Sequence, residues 1–401
     1  MEFPLKIVIT GASGYVGQNI IPFLSGRCDT LLLVGRDAVK LAETYPSIPS
    51  CTFEEMPAYA QNFDVLVHLS VLNTNALGND ANFHDINVTL ALQTAKVAAK
   101  CGIKKFYNIS SIHVLDNQNQ SPYAKSKREA VHSLADVTGI EVTNVYLPYV
   151  RGAQWNGKLA FLNSTPLFLA KPLQACFLAL KPSVSASLLA QFVLKPNNHQ
   201  DMVILSEGQS HNSAYKVMKR AMDLLFAVAV IALLWWVLLI VGAIVRMGSP
   251  GPAIFAQSRV GLHGKIFTCY KFRTMQEGTV QAGTHEVSRA SVTPIGHFLR
   301  RTKLDELPQV WNILRNEISL IGPRPGLPGQ KELFDARESR GIFCVKPGIS
   351  GLAQINNIDM SDPRELAKWD ARYIALQSLI LDFKIIISTV KGGGQGDKTA
   401  T

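Results

Sequence analysis

A chain of 401 residues with a formal charge of +10 is long enough for two or three domains, each with its own core. The charge is uneven: residues 1–212 carry 16 Lys+Arg against 15 Asp+Glu, and residues 213–401 carry 24 against 15, which suits anionic lipid headgroups and phosphate-rich substrates. Six scattered cysteines without a CxxC pair argue against a disulfide framework or zinc site and for a reducing compartment, and the lack of a reading helix or RNA-binding aromatic motif argues against nucleic acid as a partner.

Residues 5–10 (LKIVIT) read as a strand with no signal peptide before it, so the N-terminal half is expected in the cytoplasm. Further apolar runs follow at 31–34 (LLLV), 64–70 (DVLVHLS), 105–111 (KFYNISS) and 140–147 (IEVTNVYL). Helical stretches lie between them, from about Tyr15, over 82–101 and over Tyr123–Asp136. This alternation predicts βαβ units and a parallel, doubly wound sheet. After residue 151 the pattern weakens, and SEGQSHNSAY (206–215) is the best linker candidate.

From Leu224 to Val245 there is no charged side chain, and about 20 apolar residues suffice to cross a bilayer. Lys216, Lys219 and Arg220 precede the run and Arg246 follows it. Positive charge on both flanks predicts both ends on the cytoplasmic side, hence a helix that enters and returns. No proline falls between Ala221 and Val245, the run carries Trp235-Trp236 at its middle, and Gly242 is a weak substitute for a helix breaker, so a simple span is the alternative. The remainder mixes short strands (KIFTCYKF) with amphipathic helices near 305–315 and 364–375, ending in a glycine-rich tail expected to be disordered.

In GASGYVG, Gly11, Gly14 and Gly17 follow a strand and open a helix, a spacing that lets backbone N–H groups approach a pyrophosphate. Taken alone they also suit an ordinary tight turn. Tyr123 and Lys127 lie one helical turn apart, and Ser110 and Ser111 end the preceding strand. A lysine there is expected to lower the tyrosine pKa by charge, although Y-x-x-x-K alone also suits a solvated helix face. Arg36 could meet the 2′-phosphate of NADP and Asp37 the ribose of NAD; the balance leans weakly to NADP. Together these features resemble the extended short-chain dehydrogenase/reductases, the nucleotide-sugar epimerases and reductases, over residues 1–207. The resemblance implies a Ser111, Tyr123, Lys127 triad, a dinucleotide held by the three glycines, and VLVHLS on the nicotinamide side. The chain departs from the family in the short step from Ser111 to Tyr123 and in a segment after 151 too short for a full sugar-binding lobe.

In the second half, Asp305-Glu306 opens an expected helix with Pro308 in its first turn, a place where acidic residues usually serve as caps. Arg300, Arg301 and Lys303 crowd upstream, Lys271 and Arg273 sit in YKFRTM, and Arg324 stands between prolines in GPRPG. Among so many cations a carboxylate is expected to stay ionised, ready to bind a divalent metal or attack phosphorus. The blocks KRAMD (219–223), SPGPAIFAQSRVG (249–261), YKFRTM (270–275), TPIGHFLRRTKLDELPQ (293–309), SLIGPRP (319–325), KPGISGLAQIN (346–356) and LDFKIIISTV (381–390) closely resemble, in order, the monotopic phosphoglycosyl transferases over residues 213–391.

That resemblance implies that Asp305 attacks the sugar-bearing phosphate of a UDP-sugar, releases UMP and carries the sugar phosphate until polyprenyl (undecaprenyl) phosphate accepts it. It implies Mg2+ on Asp305 and Glu306, and Lys271, Arg273, Arg300, Arg301 and Arg324 on the substrate. It places the chain on the cytoplasmic face of the bacterial inner membrane, monotopic, starting a surface glycan such as a lipopolysaccharide or capsule. A homo-oligomer is left open. The expected architecture is α/β: a Rossmann-type doubly wound sheet with a truncated sugar lobe (1–207), a linker (208–215), a re-entrant membrane helix (216–246), a small α+β catalytic domain at the membrane surface (247–391) and a tail (392–401). The first half is expected to act as a UDP-sugar C4 reductase or epimerase, or else as a non-catalytic NAD(P)-binding scaffold or sensor.

Overall fold

The computed structural model describes residues 5–72, 80–155, 157–196, 201–279 and 291–393. All but the first two residues of the expected tail lie outside the described residues. The chain divides into two compact units, Met1–Ala170 with Ser183–Glu207, and Lys171–Pro182 with Gly208–Thr401.

In the first unit, β1 (Lys6–Thr10), β2 (Thr30–Gly35), β3 (Ser50–Thr52), β4 (Val65–His68), β5 (Lys105–Ser111) and β6 (Glu141–Leu147) form one sheet. A short pair, β7 (Tyr149–Arg151) and β8 (Ser183–Ser185), stands apart, and β9 (Met202–Ile204) joins the main sheet. The order is β3-β2-β1-β4-β5-β6-β9, with every neighbouring pair parallel. Helices cover both faces, so the central strands are apolar throughout: Ile7, Val8, Ile9, Val65, Leu66 and Val67 are fully buried. Chain order reverses between β1 and β4, and a ligand crevice in such sheets opens at the carboxyl ends of the strands at that point. The glycine turn and Ser111 stand at those ends. The truncated lobe expected after β7 comprises, among the described residues, a 3-10 segment Gly157–Asn163, the helix Leu167–Leu180 and the helix Ala186–Val193.

The second unit is built on one α-helix of 36 residues, Ser213–Gly248, about 54 Å long at 1.5 Å per residue. Asn212 caps it by accepting a hydrogen bond from the Tyr215 N–H. The helix runs as a single element, without the separate inward and outward segments expected of a broken hairpin. One face packs along the unit for most of its length. Ala227 and Val230 lie against Val310, Ile313 and Ile318. Val241 and Val245 lie against Phe272 and Leu299. The opposite face, including Leu225, Val228, Leu233, Trp235, Trp236 and Leu239, is exposed. A hairpin of β10 (Ile254–Val260) and β11 (Ile266–Phe272) and a parallel pair, β12 (Ser319–Ile321) and β13 (Gly348–Ser350), complete a small α+β unit with the helices Pro363–Leu376 and Leu379–Val390.

Candidate active site

Asp305 does not open an α-helix as its sequence suggests. The helix Pro294–Thr302 begins at Thr293, whose side chain accepts from the Gly296 N–H, and it stops at Lys303, which adopts φ 57. A left-handed residue at that point reverses the chain, and Leu304–Gln309 follows as a 3-10 segment before the short helix Val310–Leu314. The Asp-Glu pair therefore stands in a tight turn. Asn312, fully buried, pins this region to β11: its side chain accepts from the Tyr270 N–H (3.1 Å) and donates to Thr268 O (2.6 Å) and to Glu317 (2.6 Å).

The Asp305 side chain is 9% exposed, and its carboxylate accepts no hydrogen bond among the described residues. Burial and the neighbouring Glu306 charge push its pKa up to about 6, against the pull of Lys271, Arg300 and Arg324. Desolvation is the larger effect, so the cations do not depress its pKa, but a carboxyl near 6 is still ionised at neutral pH as expected. Lys271 Nζ bonds Glu306 Oε1 at 2.6 Å, and Arg324 approaches the same oxygen at 3.8 Å. Arg300 donates through Nε to Thr274 Oγ1 at 3.0 Å.

The other two expected substrate ligands, Arg273 and Arg301, bond neither Asp305 nor Glu306 among the described residues. The Arg273 guanidinium donates to Ser249 O (2.8 Å), Ser249 Oγ (2.9 Å) and Pro250 O, so it clamps the Ser-Pro-Gly turn that ends the long helix. Arg301 is exposed, with no ion pair among the described residues.

Sequence reading missed the residues that hold Arg324 in place. Arg337 binds Asp370 Oδ2 through Nε (3.0 Å) and Nη2 (2.7 Å), and Nη2 also donates to Arg324 O (2.9 Å). Both side chains of that pair are 3% exposed. Arg259 donates to Pro325 O (2.9 Å) from the other side. A Cβ on Gly322 would come within 2.5 Å of Lys346 O, which is why this loop can cross so close to β13. The long helix anchors the same region: Asp223 accepts from Ser319 Oγ (2.9 Å) and the Leu320 N–H (2.8 Å), and Arg220 donates to Ile313 O (2.7 Å). Charged residues three apart just before an apolar run are a legible signal for such an anchor.

In the first unit the glycine turn has the expected form. Gly11 has φ 71, and a Cβ there would meet the Leu69 carbonyl carbon at 2.7 Å; one on Gly17 would meet Ala12 at 2.7 Å. Gly14 is the N-cap of the helix Tyr15–Leu24 and leaves its first N–H groups open to an anion. These are the cradles a pyrophosphate needs, so the residues fit a dinucleotide.

Ser111 and Tyr123 share a side-chain hydrogen bond. Lys127, 1% exposed, donates instead to Ile109 O at 3.1 Å. Burial pushes the Tyr123 pKa up, more than the Ser111 bond draws it down, and burial lowers Lys127 to about 8. The expected lowering of Tyr123 by Lys127 is thus absent. Arg128 holds the short loop between serine and tyrosine through Asp116 O (3.1 Å) and Asn119 O (2.6 Å). Asn87, in a π-helical stretch Asp85–Thr89, donates to Ser126 Oγ at 3.0 Å, a feature not foreseen. Arg36 and Asp37 are both exposed, and Asp37 caps the next helix by accepting from the Lys40 N–H at 3.0 Å.

The fold and sites define a two-part enzyme class, a dinucleotide-type unit followed by a unit with a buried, cation-ringed carboxylate on a long apolar helix. Residues 214–395 match the bacterial sugar transferase family. Residues 7–162 match the NAD dependent epimerase/dehydratase family. The chain belongs to the bacterial sugar transferases, with an epimerase-type domain before the transferase domain. It is 37% identical over 175 residues to a Bacillus subtilis (strain 168) protein named Uncharacterized sugar transferase EpsL, covering 44% of this chain and 86% of that one. It is 37% identical over 184 residues to the UDP-N-acetylgalactosamine-undecaprenyl-phosphate N-acetylgalactosaminephosphotransferase of Aeromonas hydrophila, covering 44% of each. It is 38% identical over 190 residues to the UDP-glucose:undecaprenyl-phosphate glucose-1-phosphate transferase of Escherichia coli (strain K12), covering 44% of this chain and 40% of that one. The chain thus spans less than half the length of the latter two. A solved UDP-N-acetylglucosamine 4-epimerase from Bacillus cereus is similar at 16% identity, covering 53% of this chain and 82% of that one, with a TM-score of 0.40.

Proposed function

We propose that the second unit transfers a sugar-1-phosphate from a UDP-sugar to undecaprenyl or another polyprenyl phosphate, through a covalent phosphosugar on Asp305. The observation that carries this reading is the buried Asp305 carboxylate, which accepts no hydrogen bond among the described residues yet lies within the field of Lys271, Arg300 and Arg324. Its oxygen attacks the sugar-bearing phosphorus, the bond to the UMP oxygen breaks, and UMP leaves with the electron pair. A phosphate oxygen of the lipid then attacks the same phosphorus and releases the carboxylate, giving a polyprenyl-diphosphate-sugar. Arg324 and Arg300 pair with phosphate oxygens, and Lys271, now bound to Glu306, is shared with the incoming anion.

The adjacent carboxylates fit a single Mg2+, since Mg2+ takes one or two carboxylates plus substrate phosphates and relieves the like charge that raises Asp305. Held by Asp305 and Glu306, it would offset charge on the phosphates. Among the described residues no group of three such ligands exists, so the remaining positions fall to substrate and water.

The helix Ser213–Gly248 supports a monotopic seat on the cytoplasmic face. A perpendicular span would leave the soluble unit within its first turns, whereas here Tyr215, Ala227, Val241 and Val245 are all buried against one unit and the outward face is apolar. Purified protein given a UDP-sugar and polyprenyl phosphate is expected to release UMP, and Asp305→Asn to abolish the release. Undiminished release by Asp305→Asn contradicts the covalent scheme.

For the first unit we propose NAD(P) binding in the turn of Gly11, Gly14 and Gly17, with reduction or epimerisation at C4 of a UDP-sugar by Tyr123 and Ser111. A bound nicotinamide would supply or accept the hydride there. A second reading, a dinucleotide-bound scaffold without turnover, is favoured by the bond of Lys127 to Ile109 O rather than to Tyr123 and by the short lobe after β7. Sugar-nucleotide conversion that Tyr123→Phe abolishes supports the first reading; no conversion by the parent supports the second.

A further inference from the structure

The helix Leu167–Leu180 stands where a sugar lobe would follow the dinucleotide fold, and its surface is wrong for binding a sugar. Its first two turns are apolar and open to solvent. Leu167 is 73% exposed, Phe168 75%, Leu169 47% and Leu173 48%, while in this stretch only Ala170 is buried. Phe161, just upstream, is 56% exposed. A cluster of this kind is rare on a soluble surface and marks an interaction site. The lower half of the helix is different. Gln209 donates to Leu178 O at 2.7 Å, and Asn212 donates to Ala175 O at 3.0 Å.

Asn212 is also the N-cap of the long apolar helix. One side chain therefore caps that helix and grips the shorter one, and Lys171–Pro182 belongs to the same compact unit as the long helix. Exposed Leu173, within Lys171–Pro182, therefore shares a unit with the exposed Leu225, Val228, Leu233 and Trp235 face. Exposed Lys171 and Lys181 flank the short helix, and Lys216 lies one turn into the long one. Apolar side chains edged by lysines match a bilayer surface that carries anionic headgroups.

We propose that the Leu167–Leu173 turns insert into the membrane surface as a second anchor, so that the remnant of the substrate lobe seats the chain on anionic lipid. The proposal rests on the membrane reading of the long helix, and its test separates the two. Single cysteines replace Phe168, Leu173 and, as a reference on the long helix, Leu239, in a full-length chain whose native cysteines have been removed. Each is labelled with an environment-sensitive fluorophore. The chain is reconstituted in nanodiscs of phosphatidylethanolamine and phosphatidylglycerol, with or without lipids bearing a nitroxide near the headgroup.

Labels at 168 and 173 are expected to emit to the blue of their spectra in detergent-free buffer and to lose most of their emission to the nitroxide lipid. Removing phosphatidylglycerol is expected to weaken that loss at 168 and 173 more than at 239. If the 239 label is quenched and the 168 and 173 labels keep an aqueous spectrum, the second anchor is refuted and the membrane helix stands. If all three stay aqueous and unquenched, the membrane reading itself fails. Labels at 168 and 173 that are shielded from water yet untouched by nitroxide lipid point to a protein partner and also overturn the proposal. UMP release by each labelled chain, at the level of the parent, verifies that the fold survived.

Discussion

The two sites bury titratable groups to opposite ends. In the first unit Lys127 donates to Ile109 O and Tyr123 shares a hydrogen bond with Ser111. In the second, the buried Asp305 carboxylate accepts no hydrogen bond among the described residues, while Lys271 and Arg324 converge on its neighbour Glu306. A buried polar group without a hydrogen bond costs stability, and a fold retains it where a ligand completes it. By that comparison the Asp305 carboxylate is left for a cation or an electrophilic phosphorus, while Lys127 and Tyr123 already bond the protein around them.

The largest effect that tests the contrast is on turnover. Asp305→Asn is expected to lower UMP release by on the order of 10^4-fold or more, as loss of a nucleophile does elsewhere, and Tyr123→Phe to leave it unchanged. Equal losses in assays of UMP release would erase the distinction between the units. Next comes the support of Arg324. Arg337→Leu leaves Asp370 buried and unpaired and is expected to cost about 3–5 kcal/mol in urea unfolding, much of it recovered in the double variant Arg337→Leu, Asp370→Leu. Failure of the double variant to recover would mean that the Arg324 carbonyl contact, not the charge pair, carries the cost.

A smaller effect lies in Asp305 itself. Its folded pKa of about 6 is above the ordinary carboxylate value, so the folded state binds the proton more tightly than the unfolded chain. The stability from this group is present at low pH and is lost as pH rises towards about 6. At neutral pH, Asp305→Asn is therefore expected to raise stability, by on the order of 2 kcal/mol. A variant less stable than the parent at pH 7.5 contradicts the uncompensated carboxylate. The smallest effect is a shift of the pH profile. The kcat/KM for UMP release should climb through about pH 6 as Asp305 ionises, and Lys271→Met should move that limb upward because one favourable charge is gone. A limb that stays in place would assign it to another group.

The dinucleotide unit is legible in the chain because parallel strands buried on both faces must be apolar runs, as at Ile7–Ile9 and Val65–Val67. The carboxylate pair is legible through the ordered motif blocks around it. The tight turn at Lys303 is not, because its φ of 57 is imposed by packing rather than by a glycine. For Arg273, type and neighbourhood suit a phosphate, and only the fold shows that its Nη1 and Nη2 donate to Ser249 and Pro250. The Arg337–Asp370 pair joins residues 33 apart, and no local spacing announces it. The lowering of Tyr123 expected from Lys127 fails because burial outweighs a charge that is turned toward a carbonyl.

The central claim is most directly tested by trapping the transfer halfway. Protein incubated with a UDP-sugar but no polyprenyl phosphate is quenched, digested and weighed. The account predicts one equivalent of UMP and a gain of a sugar phosphate on the peptide that contains Asp305. UMP that appears only once polyprenyl phosphate is added, with that peptide unchanged in mass, would contradict it.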